Sequence, residues 1–187
     1  MHYTFHCYKS KLGWPDLIEA TETVENLEPA TETIRREMID IANDLITFNP
    51  EIEIFSNSDE RVAEIQNQSI DQVKTDYFHL SLHSQSSFFP SVYFLNQSIS
   101  LTIQYPWNNM NEDDQVVEMQ NLIEYFKIIT NKLKGFVFDE QSLEVFDPFT
   151  TKIEIEEGII IYKKTNHVRD ENEHYKSISN KKKWWKF

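Results

Sequence analysis

SVYFLNQSISLTIQY, residues 91–105, holds two runs of alternating apolar residues, 91–95 and 99–105, around the polar triplet Asn96-Gln97-Ser98. Alternation at period two with a short polar break predicts a β-hairpin. Residues 106–114 interrupt the pattern with Pro106, three asparagines and acids. Val116, Met119, Ile123, Phe126 and Leu133 then follow at helical spacing. Steps of three and four place them on one face and predict a helix over 113–133. Gly135 reads as the glycine that ends it. Phe136 and Phe138 alternate into a further strand, turned by Asp139-Glu140-Gln141-Ser142 into 143–146 and closed by Asp147-Pro148. Strand, strand, helix, strand, strand is the signature of an α+β fold.

The same reading extends outward. Residues 2–9 alternate Tyr3, Phe5 and Cys7 against Thr4, His6 and Tyr8, a first strand. Residues 12–29 read as an acidic connector with Gly13 and Pro15, carrying a turn of helix over 16–24. Ile34, Met38, Ile41, Leu45 and Phe48 step by 4, 3, 4 and 3, which predicts an amphipathic helix over 31–48. Asn49-Pro50 stops it. Residues 51–55 and 77–83 alternate as strands, with a short helix predicted over 58–66. Residues 153–157 and 159–163 flank Glu157-Gly158, another hairpin signal. The expectation is one α+β domain over 1–164, with a polar, basic tail at 165–187. Connections within 77–105 are too short for parallel crossovers, so the sheet is expected to be mainly antiparallel. The two main amphipathic helices are expected on one of its faces.

Composition narrows the function classes. Three glycines among 187 residues leave little for a phosphate-cradling loop or a dinucleotide fold, which need backbone positions that only glycine tolerates. The one cysteine, Cys7, rules out an internal disulfide or a cysteine-based zinc site. No apolar run approaches the roughly 18–20 residues of a membrane span, and the N-terminus lacks a signal-peptide profile. The expected location is cytoplasmic. The formal net charge is -13. Residues 176–187 carry five lysines and no acid, so the rest of the chain sets 13 basic against 31 acidic side chains, a net of -18. Such a body repels nucleic acid and anionic lipid and attracts basic partners.

Candidate chemistry is sparse. Gly-x-Ser-x-Gly, His-Glu-x-x-His and Walker patterns are all missing from the sequence. Cys7 is best read as a small core hydrophobe; as a nucleophile it would need His2, His6, His79 or His83 as its base. His79 and His83 share a strand face about 13 Å apart, too far for one metal ion to take both. Asp139, Glu140, Glu144 and Asp147 crowd one hairpin, where turn residues bonding local backbone are the expectation over acid–base chemistry or a hard cation. Tyr105 and Trp107 end the central strand, equally readable as interface anchors or as lids on the core. Trp184 and Trp185 sit among the tail lysines, expected to pack on the acidic body or on a second copy.

Three stretches carry a family likeness. These are His2-Tyr3-Thr4-Phe5-His6-Cys7-Tyr8-Lys9, the strand running from Ile99 to Trp107, and Gly135-Phe136-Val137-Phe138-Asp139-Glu140-Gln141 followed by Val145-Phe146-Asp147-Pro148. Together they resemble small acidic bacterial immunity-type proteins, including those paired with polymorphic or type VI secretion toxins. The resemblance spans most of residues 1–148. It implies a non-enzymatic protein that occludes a cognate toxin, with no cofactor and no metal, and it carries over no catalytic residue. The partner-binding residues expected on this reading are Tyr105, Trp107, Asp139, Glu140, Asp147, Trp184 and Trp185, and a homodimer is compatible with it. Two alternatives stand beside it. One is a small enzyme built on Cys7 or on an Asp139/Asp147 cleft. The other is a peripheral contact with membrane or nucleic acid through the Lys/Trp tail.

Overall fold

The computed structural model describes residues 2–25, 31–55, 80–84, 90–94, 98–104, 110–156 and 159–165. The strands are β1 (His2–Lys9), β2 (Ile52–Phe55), β3 (Leu80–Ser84), β4 (Ser91–Phe94), β5 (Ser98–Gln104), β6 (Gly135–Asp139), β7 (Glu144–Phe146), β8 (Thr151–Glu156) and β9 (Ile159–Lys164). The helices are α1 (Leu17–Glu25), α2 (Glu32–Phe48) and α3 (Glu112–Leu133). Seven strands form one sheet in the order β2-β3-β4-β5-β1-β6-β7, and every pairing in it is antiparallel. β8 and β9 make a separate hairpin. The fold is α+β.

β1 lies inside the sheet between β5 and β6, so both of its edges are hydrogen-bonded. Phe5 and Cys7 face one side. There they join Met38, Ile41 and Leu45 of α2 and Met119, Leu122, Phe126 and Ile129 of α3 in the main core. The ring of Phe126 meets Phe5 at 5.1 Å and Phe146 at 6.0 Å, tying α3 to both β1 and β7. Tyr8 faces the other side and packs with Phe136, Phe138 and Ala20 of α1. The two long helices thus share a face, while α1 covers part of the opposite one. α1 has nine residues where the sequence signals a turn of helix; Glu19 and Ala20 are buried in it and Val24 packs against the Tyr8 cluster.

The long helices begin on side-chain caps. Thr31 accepts from Ile34 N at 3.3 Å, and Asn111 accepts from Asp114 N at 2.9 Å. α2 ends at Asn49, whose extended backbone (φ -129°, ψ 99°) suits the residue before Pro50. The end of α3 corrects the sequence reading. Lys134, not Gly135, takes the left-handed conformation, at φ 54° and ψ 44°. Gly135 already belongs to β6, paired with Lys9. A Cβ on Gly135 would overlap the Tyr8 carbonyl oxygen and stand 2.7 Å from the Tyr8 carbonyl carbon. This glycine is required by the close approach of two backbones. A lysine in the left-handed region carries a steric cost, so Lys134→Gly should raise stability by roughly 0.5–1 kcal/mol after the glycine's extra chain entropy is offset. A urea midpoint that rises at unchanged slope would show it.

The β8–β9 hairpin docks through Ile153 and Ile160, which belong to the main core, and through Tyr162, whose ring lies 4.7 Å from that of Phe146. On its exposed surface Lys152 and Lys163 flank Glu154 and hold its carboxyl down to about 2. The predicted helix at 58–66, the loops at 85–89 and 95–97, the turn at 157–158 and the tail beyond residue 165 lie outside the described residues. Among the described residues no helix is long and apolar enough to cross a membrane.

Candidate functional site

The two chemistries singled out in the sequence are committed to structure. Cys7 is fully buried on the α2/α3 side, and burial pushes its thiol well above the usual range. His6, its neighbour along β1, points to the opposite face, because successive strand side chains alternate. The sheet itself lies between the thiol and that imidazole.

His6 instead joins a chain that the sequence does not reveal. Its Nδ1 lies 2.8 Å from Ser100 Oγ and its Nε2 lies 3.2 Å from Glu140 Oε2. The ring stacks on Phe138 at 6.0 Å. The register His6↔Ser100 between β1 and β5 creates the first contact, and the turn after β6 supplies Glu140. A tautomer that donates Nε2–H to Glu140 leaves Nδ1 to accept from Ser100, the order of a serine–histidine–acid relay. Acyl transfer also needs backbone N–H donors aimed at a developing oxyanion. Ser100 is buried in the middle of β5, with Tyr93 of β4 on one side and His6 of β1 on the other, so the backbone around it serves the sheet ladders. The chain therefore joins β1, β5 and the β6–β7 turn.

Burial lowers the His6 pKa below its ordinary value near 6.5, while the Glu140 hydrogen bond and charge pull it back up. Between the lowered value and 6.5 the unfolded chain binds more protons than the folded one. The His6 contribution to stability is thus complete above pH 6.5 and is lost as pH falls through the folded value, with a slope of at most about 1.4 kcal/mol per pH unit for one proton. Urea unfolding at pH 7.5 and at pH 5.5 should show this loss. His6→Gln should flatten that part of the slope, and Glu140→Gln should steepen it.

The acids of the β6–β7 hairpin are engaged by their own turns and by β9. Asp139 is buried, and its Oδ1 accepts from Gln141 N at 2.9 Å and Ser142 N at 3.3 Å. Its Oδ2 accepts from Ser142 Oγ at 2.9 Å and from the Tyr162 hydroxyl. Burial and the Asp139 carboxylate together drive the Tyr162 phenol far above its ordinary range. Asp147 accepts from Phe149 N at 3.0 Å and shapes the turn into β8. Of the three acids expected to face a partner, Glu140 is exposed and paired with His6, Asp147 is half-buried in its turn, and Asp139 is inside. Tyr105, Trp107, Trp184 and Trp185 lie outside the described residues, as does His79. Among the described residues no three His, Cys, Asp or Glu side chains gather as a metal-ligand set.

The surface that the sequence reading treated as a connector is the most distinctive one. Between β1 and α1 the chain displays Leu12, Trp14, Leu17 and Ile18 at 43, 57, 42 and 70 % exposure. Beside them is an open cleft of about 410 Å³ lined by Lys11, Leu12, Asp16, Ile18, Glu19, Glu22 and Thr23. The corner is held from beneath. The buried Glu19 carboxylate accepts from the backbone N–H groups of Lys11 and Leu12 and, at 2.7 Å, from Ser10 Oγ. Ser10 Oγ in turn accepts from Gly13 N at 2.9 Å, and Gly13 turns the chain at φ +80°. Asp16 caps α1 by accepting from Glu19 N at 2.9 Å. Its carbonyl also accepts from Tyr8 OH at 3.4 Å, a tether from the strand to the helix start. The nearby cation Lys9 is engaged by Glu37 at 3.1 Å. The available signal is Trp14 itself, a large ring set between Gly13 and Pro15 in a turn.

Searches against protein-family models, curated proteins and solved structures found no match to the chain.

Proposed function

We propose that this protein is a non-enzymatic binding protein that occludes a basic partner, an inhibitor of the immunity type directed at a cognate bacterial toxin. The observation that carries the reading is the β1–α1 corner, where four large apolar side chains are displayed from a hydrogen-bonded frame on a chain of net charge -13. Monomeric proteins rarely gather exposed apolar groups in this way without a partner to cover them. The acidic body steers basic proteins toward it and speeds encounter. The burial of Cys7 and the local bonding of Asp139 and Asp147 support binding over catalysis.

The test is to read the neighbouring genes for a large secreted toxin, which the reading expects, and to co-express its toxic domain with this chain. Rescue of growth, together with co-elution of the two chains in size-exclusion chromatography, is the expected result. Cell death at matched expression, with the two chains eluting separately, would overturn the reading.

A further inference from the structure

We infer that the β1–α1 corner is the recognition site itself, and that its ligand is a basic, amphipathic segment of a partner protein; this rests on the binding-protein reading above. The segment places one aromatic or branched aliphatic side chain in the cleft between Leu12 and Ile18, and Trp14, exposed on the same loop, closes over it. Lysine or arginine on either side of that anchor meets Asp16 and Glu22.

Three observations lead here. Two of the exposed apolar groups, Leu12 and Ile18, line the cleft, and Trp14 and Leu17 lie between them in the chain. The loop is organised before binding, because Glu19, Ser10 and Asp16 already hold its backbone, so little ordering cost falls on association. The charged residues lining the cleft are Asp16, Glu19 and Glu22 against Lys11, with Glu25 three residues further along α1, while Lys9 is engaged by Glu37. An apolar centre with an acidic rim selects a basic partner. A second copy of this chain would bring the same acidic rim against itself, and an anionic bilayer would be repelled by it.

Two experiments on the full-length chain decide it. In the first, the toxin-rescue assay is repeated with Trp14→Ser and with Ile18→Asn. Both side chains are exposed, so thermal melts should match the parent, while affinity for the toxin falls by about thirty-fold or more, as for a central interface anchor. Glu22→Lys should weaken binding most at low salt. Full affinity in all three variants would remove the corner and leave the inhibitor reading standing. The second experiment does not use the toxin. Short random peptides displayed on phage are selected against the chain, and the expected winners carry an aromatic or aliphatic residue flanked by Lys or Arg and lose binding to Trp14→Ser. If such peptides emerge although the toxin is neither bound nor neutralised, the inhibitor reading falls and the corner stands. Winners without basic residues would overturn the inference. So would self-association in light scattering, or binding to phosphatidylglycerol vesicles, that Trp14→Ser abolishes.

Discussion

Gly135→Ala should destabilise the protein by about 3 kcal/mol, at the upper end of what overpacking costs. The added methyl has no free direction. It would overlap the carbonyl oxygen of Tyr8 and lie 3.1 Å from the Lys9 Cα, and these are backbone atoms that cannot rotate away. Relief requires β6 to move off β1, which strains the ladder from Lys9↔Gly135 to Phe5↔Asp139. The damage reaches both sides of the sheet, since Phe136 and Phe138 cover one face of β6 and Val137 the other. For a chain of this size the melting temperature should drop by roughly 6–12 °C. The contrast with Lys134→Gly is the control. Neighbouring positions should respond with opposite signs, because one residue is strained by its own φ and the other is confined by a neighbouring strand. A Gly135→Ala protein that melts with the parent would show that β6 and β1 separate at no cost.

Asp139→Ala should cost a similar amount, about 3 kcal/mol, by leaving four donors without their acceptor. Two are backbone N–H groups of the β6–β7 turn and one is the Ser142 hydroxyl. The fourth is the Tyr162 hydroxyl of β9, so this carboxylate clasps the β8–β9 hairpin to the main sheet. Asp139→Asn keeps the volume and one acceptor oxygen and should cost less. Tyr162→Phe removes only the cross-sheet donor and should cost about 1.5 kcal/mol, the lower range for a hydrogen bond to a charged group. The double variant should fall short of the sum of the two single ones, since both remove the same contact. Hydrogen exchange separates the clasp from a merely local turn. In Asp139→Ala the amides of β8 and β9 should open well before those of β1 and β5. Uniform acceleration across the whole sheet would argue against a clasp.

Much of this architecture is written locally. The steps Ile34-Met38-Ile41-Leu45 and Met119-Ile123-Phe126 determine two helices and their buried faces, because the helical period places those residues together whatever surrounds them. Alternation in β1 determines which side chains share a face, and the net charge of -13 determines the sign of charge that the chain as a whole attracts. Local pattern cannot say which elements become neighbours. The β1–β5 register brings His6 to Ser100, ninety-four positions away, and no spacing rule links those residues. Gly135 looks like a helix terminator until β1 is laid beside it, for a glycine's vacancy has meaning only against the backbone that fills it. Asp139 looks like a turn acid in either reading, yet only the docking of β9 buries it and gives it the Tyr162 hydroxyl. The β1–α1 corner is the sharpest case. Hydrophobic periodicity detects residues that an element hides, whereas Leu12, Trp14 and Ile18 are apolar residues that the fold leaves outside. Exposure depends on everything the chain fails to place over a residue, and that is decided only when the whole tertiary structure is assembled.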